Sequence, residues 1–183
     1  MASTAAAAAA SAPPPSQPVD LSEKLEKTAC YARNEDSRFP WSNLLIGDTR
    51  LGCKSDADEQ LILHFEFSEL VKVHSLKLTE FNNGVDPEQN PTVVKLFVNR
   101  NNLGFEDIDD VDPTMELELT AEDLKENADN TLVQYVKFQR VKSITLFVEE
   151  NNGGEITSLG ALRFYGKPVA TLNMNDFKSQ QQA

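Results

Sequence analysis

The chain has 183 residues, of which 40% are hydrophobic and 25% charged, with 29 acidic against 17 basic residues and a formal net charge of −12. Nucleic acids and anionic membranes attract clustered Lys and Arg, so this balance argues against either as a partner. Only two cysteines occur, Cys30 and Cys53, in no C-x-x-C pair; they do not make a disulfide scaffold, and the length suits one domain with an ordinary apolar core.

Residues 1–18 are of low complexity: alanine throughout 5–10, then Ser11-Ala12-Pro13-Pro14-Pro15-Ser16-Gln17-Pro18. A helix that short does not offset its nucleation cost and the prolines block its continuation, so a disordered tail is expected. The first basic residue is Lys24, which leaves no charged region for a signal peptide and none of the arginines of a mitochondrial presequence. No apolar run reaches membrane length. The expectation is a cytoplasmic protein, present also in the nucleus, with reduced thiols.

A folded body is expected over 19–170, followed by a tail over 171–183. Over 20–31 a short helix is predicted, capped by Asp20 or Ser22, with Leu21, Leu25 and Ala29 on one face. The irregular Phe39-Pro40-Trp41-Ser42-Asn43-Leu44 holds the only tryptophan. After the acidic turn Ser55-Asp56-Ala57-Asp58-Glu59-Gln60 the period switches to two. Leu61, Leu63, Phe65 and Phe67 share one strand face, and Ile62, His64 and Glu66 the other. Val71 and Val73 then set one phase and Leu76 and Leu78 the opposite one, a slip that a β-bulge near His74 and Ser75 accommodates.

Further strands are predicted over 92–99, 115–120, 133–141, 144–149 and 159–165. The clean alternation of Met115, Leu117 and Leu119 with Glu116 and Glu118 gives the second of these one solvated face. Thr120-Ala121-Glu122-Asp123 resembles a capping box with Asp in place of Glu. Asn151-Asn152-Gly153-Gly154 signals a hairpin, because these residues tolerate positive φ. Many short strands, almost no helix and no βαβ rhythm give an all-β sandwich.

Each candidate chemistry meets a plainer reading. Residues 101–130 hold eleven acids and one base, Lys125. Asp107, Asp109 and Asp110 invite calcium, but the central glycine, terminal glutamate and flanking helices of an EF-hand are missing, and a solvated acidic loop is favoured. Cys30, Cys53, His64 and His74 lack the close pairing of structural zinc ligands and read as buried thiols and surface imidazoles. A structural hydrogen bond to backbone is the favoured role of His74. No phosphate loop, nucleophile elbow or H-E-x-x-H occurs, so neither an active site, a metal nor a cofactor is expected.

Eight stretches stand in the order found in the PITH domain, the module named for the proteasome-interacting thioredoxins. They are Ser42-Asn43-Leu44, Ser55-Asp56-Ala57-Asp58-Glu59-Gln60-Leu61, Val71-Lys72-Val73-His74-Ser75-Leu76 and Thr92-Val93-Val94-Lys95-Leu96-Phe97-Val98-Asn99. Leu117-Glu118-Leu119-Thr120, Tyr135-Val136-Lys137-Phe138-Gln139, Ile144-Thr145-Leu146-Phe147-Val148 and Asn173-Met174-Asn175-Asp176-Phe177-Lys178 complete them. From about residue 30 to 178 the chain resembles that family.

The resemblance implies a jelly-roll β-sandwich similar to galactose-binding-like domains. It implies a non-catalytic protein-interaction module whose partner is the regulatory particle of the 26S proteasome; a monomer is expected. The thioredoxin C-x-x-C is missing, so redox activity is not expected; Cys53 stands where the family suggests a carboxylate. Candidate partner-binding residues are Asp56, Asp58, Glu59 and His74, with Asn173, Met174, Asn175, Asp176, Phe177 and Lys178 beyond the last strand. Phe177 is expected to fold back on the body rather than serve a partner, since burying a Phe contributes roughly 1.5–3 kcal/mol. The alternative function is a small-ligand or carbohydrate binder, with Trp41 as the stacking platform, although a core or edge-filling Trp41 is favoured.

Overall fold

One long strand organises the molecule. In the computed structural model, which describes residues 17–169, β4 (Leu61–Thr79) runs for 19 residues and carries different neighbours along its two halves. In the first half, Leu61–Glu66 pair antiparallel with β8 (Val141–Asn151) on one edge, while β2 (Tyr31–Arg33) pairs with 62–64 on the other. β8 continues into β5 (Pro91–Val98) and then β6 (Met115–Glu118). In the second half, Val71–Thr79 pair with β10 (Ala161–Pro168), which carries β1 (Val19–Asp20). The short β7 (Thr131–Leu132) covers the opposite edge at Ser75 and Leu76. A separate two-stranded piece joins β3 (Cys53–Lys54) to β9 (Ser158–Leu159).

The halves meet at an irregularity. Glu66 faces Ser143 and Val71 faces Val141, so residues 67–70 stand opposite Lys142 alone, whose Nζ donates to the Phe67 carbonyl at 2.7 Å. The alternation does the rest. Leu61, Leu63, Phe65 and Phe67 point into the main core with Val71, Val73, Leu76, Leu78, Leu146 and Leu162. Phe164 of β10 meets Phe65 and Phe67 edge-to-face at 5.6 and 5.8 Å, locking the two halves together. The result is an antiparallel jelly roll, as the pattern of short strands implies.

The predicted bulge is present. Tyr165 pairs with Ser75 and Gly166 with Val73, so His74 has no partner on β10. Gly166 is required there: a Cβ would lie 1.9 Å from the Lys72 carbonyl oxygen. The Thr120–Asp123 box also forms, with the Thr120 N–H donating to Asp123 Oδ2 at 2.8 Å and the Asp123 N–H to Thr120 Oγ1 at 3.4 Å. It starts a 3₁₀ turn over Glu122–Leu124.

Four sequence expectations are corrected. Over 20–31 there is no single helix but two 3₁₀ turns, Ser22–Lys24 and Lys27–Ala29. Leu21 and Leu25 are buried as their spacing implies, but the backbone N–H groups of Leu21 and Glu26 bond Phe164 and Glu66, and the sheet edges outcompete a helix. The strand predicted over 133–141 is instead β7 followed by a 3₁₀ turn, Tyr135–Phe138, with β8 starting at Val141. Asn151–Gly154 does turn, with Gly153 at φ +104°, but joins no hairpin, because β4 lies between β8 and β10. Its amides bond residues 88–90 instead.

The acidic stretch, finally, is more than a solvated loop. The single helical turn α1 (Phe105–Ile108) and its flanks set Leu103, Phe105, Ile108 and Val111 against Ile62, Phe97 and Phe147 on the face of the sheet opposite the main core. The acids between them, Glu106, Asp107, Asp109, Asp110 and Asp112, point to solvent.

Candidate partner-binding groove

The bulge at His74 is the floor of a groove of about 480 Å³. Val71 and Val73 take the core side of β4, which leaves Lys72 and His74 on the outer face. His74 is exposed, and its Nδ1 meets Ser75 Oγ at 3.1 Å, so its partner is a side chain rather than the backbone expected. One wall is β7 and the turn after it. β7 is only two residues long because the Val133 N–H bonds the His74 carbonyl and the chain then tightens into the 3₁₀ turn. That turn sends Phe138 fully into the core and Tyr135 and Val136 outward, 74% and 83% exposed; Leu132 beside them is 64% exposed. Gln139 Nε2 donates to the Tyr135 carbonyl at 2.7 Å and fixes the turn.

The opposite wall is Gly166 and Lys167 of β10, with Pro18 at one end. Lys72 and Lys167 are its charged groups, and no carboxylate lines it, in a chain of net charge −12. The groove is therefore an apolar, locally basic depression beside three exposed large apolar side chains, the usual composition of a contact patch.

The other candidate residues lie elsewhere. Asp58 Oδ1 accepts from Asn34 Nδ2 at 2.9 Å and from the Gln60 N–H at 3.0 Å, while the Asn34 side chain also receives the Ala57 N–H. Asn34, at φ +69°, thereby ties the acidic turn to the end of β2, and the Glu59 carbonyl is held by Thr157 Oγ1. Asp56, Asp58 and Glu59 thus sit at the start of β4, and none of them lines the groove with His74. Residues 173–178 lie outside the described residues.

The thiols and the second histidine are interior. Cys30 and Cys53 are free and buried, and burial pushes both thiols up, Cys53 far up, so neither is a ready thiolate. His64 is buried rather than on the surface. It stacks on Tyr31 with centroids 4.7 Å apart, and its Nδ1 lies 2.9 Å from Thr145 Oγ1. Thr145 Oγ1 also donates to the Arg100 carbonyl at 3.3 Å, which leaves Nδ1 of His64 as the donor to Thr145; burial holds the His64 pKa below the ordinary value. Among the described residues no three His, Cys, Asp or Glu side chains are placed to hold an ion, and no helix is long and apolar enough to cross a membrane. Trp41 is partly buried against the core, edge-to-face on Phe65 at 6.0 Å.

Sequence reasoning found His74 but missed Lys72, Leu132, Tyr135, Val136 and Lys167. A signal was available: Leu132-Val133-Gln134-Tyr135-Val136-Lys137-Phe138 carries apolar residues in both phases, more than a half-buried strand can hide.

Comparison with solved structures defines the class first. The CBM32-1 and CBM32-2 domains of Clostridium perfringens ZmpB, in complex with GalNAc, match with a TM-score of 0.63 and 8% identity over 82% of this chain and 36% of that one. The family 32 CBM of C. perfringens NanJ, in complex with galactose, matches at 0.56 and 14% over 81% and 99%. At such identities the fold alone is shared, a galactose-binding-like jelly roll.

The sequence goes further. The PITH domain profile matches residues 11–183, and the chain belongs to the PITH domain family, a family of protein-interaction modules. It is 36% identical over 118 residues to thioredoxin-like protein 1 of Schizosaccharomyces pombe, covering 63% of this chain and 40% of that protein. It is 29% identical over 106 residues to a PITH domain-containing protein of Drosophila melanogaster, covering 58% and 47%. The match thus spans less than half the length of either relative.

Proposed function

We propose that this chain is a non-catalytic, monomeric adaptor of the cytoplasm and nucleus that binds the regulatory particle of the 26S proteasome through the groove at His74. The observation that carries the groove is the outward setting of Leu132, Tyr135 and Val136 beside Lys72 and Lys167. Clustered exposed apolar side chains mark interaction sites, and Tyr is among the residues enriched at the energetic centres of interfaces. Membership of the PITH domain family supports this choice of partner, since the family resemblance is to the module of the proteasome-interacting thioredoxins.

Affinity purification with the wild-type chain and with a Tyr135→Ser, Val136→Ser double variant tests both parts. Wild type enriching lid or base subunits, with the variant losing them, is expected. No enrichment by wild type overturns the proteasome assignment, and equal enrichment by the variant overturns the groove. The carbohydrate reading rests on the shared fold, and its stacking platform, Trp41, is committed to Phe65.

A further inference from the structure

We propose that the groove takes an acidic segment of the partner, one in which one or two carboxylates stand about 10 Å from a large apolar side chain. The proposal rests on the groove being an interaction surface, but it fails separately from that reading.

The charges of the groove point to an acid. Lys72 and Lys167 are directly paired across β4 and β10, on the face of the sheet turned away from the core. Like charges directly opposite on one face of a sheet repel and weaken the pairing. Elsewhere the chain answers its lysines. Lys24, Lys95 and Lys125 meet the carboxylates of Glu69, Glu149 and Glu80 at 2.9, 2.7 and 3.0 Å, and the ammonium groups of Lys77 and Lys142 donate to backbone carbonyls. Lys72 and Lys167 have no such partner among the described residues, and the groove they line contains no carboxylate. In a chain of 29 acidic against 17 basic residues, that is a local reversal of sign. A carboxylate arriving from outside meets both lysines at once and relieves the repulsion that the fold leaves in place.

The apolar wall sets the rest of the ligand. Leu132 pairs with Ser75, three residues along β4 from Lys72. At about 3.3 Å per residue, the wall of Leu132, Val133 and Tyr135 therefore starts roughly 10 Å from the lysine pair. An acid alone leaves that wall bare, and an apolar side chain alone leaves the lysines unanswered.

The probe is a peptide of two glutamates, two glycines, a leucine and a phenylalanine, titrated into the full chain and read by amide shifts. Saturable shifts at Lys72, His74, Leu132, Tyr135 and Lys167 are expected. Affinity should fall about two- to tenfold when glutamines replace the glutamates, the effect of two exposed ion pairs. Lys72→Glu should weaken the peptide by at least as much while raising the melting temperature by about 1–3 °C, because the new carboxylate pairs with Lys167.

Equal affinity for the glutamine peptide, no shifts, shifts confined to another surface, or a lowered melting temperature in Lys72→Glu overturns the proposal. So does inorganic phosphate that matches the peptide in affinity, which would make the lysines a simple anion site. Groove signals that move with protein concentration, or on Asp176→Asn, before peptide is added would give the groove to a second copy or to the chain's own tail, and overturn it too. Partner capture separates the two readings. Capture lost in the Tyr135→Ser, Val136→Ser variant but unchanged in Lys72→Glu keeps the groove and removes the acidic ligand; loss in both supports both.

Discussion

The two halves of β4 treat their outer faces in opposite ways. Over Ile62, in the first half, the chain lays down α1 and its flanks, so that Leu103, Phe105 and Ile108 close a second apolar cluster with Phe97 and Phe147. In the second half Lys77 is covered by the turn after the Thr120–Asp123 box, to which its ammonium donates at the Asp123 and Lys125 carbonyls, 2.8 and 2.6 Å. Between these covers Lys72 and His74 stay bare, and the neighbouring turn points Tyr135 and Val136 into water. Where the chain covers an outward face the residues there hold the fold; where it adds apolar surface and leaves it uncovered, they are available to another molecule.

The largest expected effect tests the covered half. Phe147→Ala removes a ring 2% exposed that meets Phe105 at 6.1 Å, and should cost about 3–5 kcal/mol in a denaturant titration. A loss under about 1 kcal/mol would mean that the α1 cover packs loosely and is not structural.

Lys77→Met comes next. It leaves the Asp123 and Lys125 carbonyls without their buried donor, and a loss of about 1–3 kcal/mol is expected in the same titration. An unchanged midpoint would show that water replaces the ammonium and that this cover is open.

A smaller effect separates the two histidines of the strand. Burial keeps His64 neutral in the folded state below the pH at which the unfolded chain protonates it. Its contribution is present above the ordinary histidine pKa of about 6.5 and is lost as pH falls from there through the folded pKa, at up to roughly 1.4 kcal/mol per pH unit. His64→Gln should narrow the drop in melting temperature between pH 7.5 and 5.5. An identical drop in wild type and variant would place the acid sensitivity elsewhere.

The smallest effect on stability belongs to the groove. Tyr135→Ser and Val136→Ser should each change stability by no more than about 0.5 kcal/mol, since both side chains are exposed. A destabilisation above about 1 kcal/mol would show that the turn supports the body and would erase the contrast between the halves.

Much of this was legible in the chain itself. The period of two fixes which face of β4 enters the core, and the phase slip between Val73 and Leu76 locates the bulge at His74, because side-chain direction along a strand is a local property. The Thr120–Asp123 box is equally local. The groove was only half visible. His74 announced itself through the slip, but Lys167 reaches it from a strand 93 positions along the chain, and only the register of β10 against β4 brings the two together.

The misses share one cause. Leu21 and Leu25 are spaced for a helix, but the amides of Leu21 and Glu26 donate to the Phe164 and Glu66 carbonyls; Asn151–Gly154 is built to turn, but the strands it was expected to pair are separated by β4. Composition and periodicity determined the all-β class, the main core and the family resemblance, since these depend on residue type and spacing. Tertiary structure decided which strand edges compete for a backbone amide, which outward face receives a cover and which is left open. Those choices depend on distant segments arriving at the same place, and no local pattern carries that information.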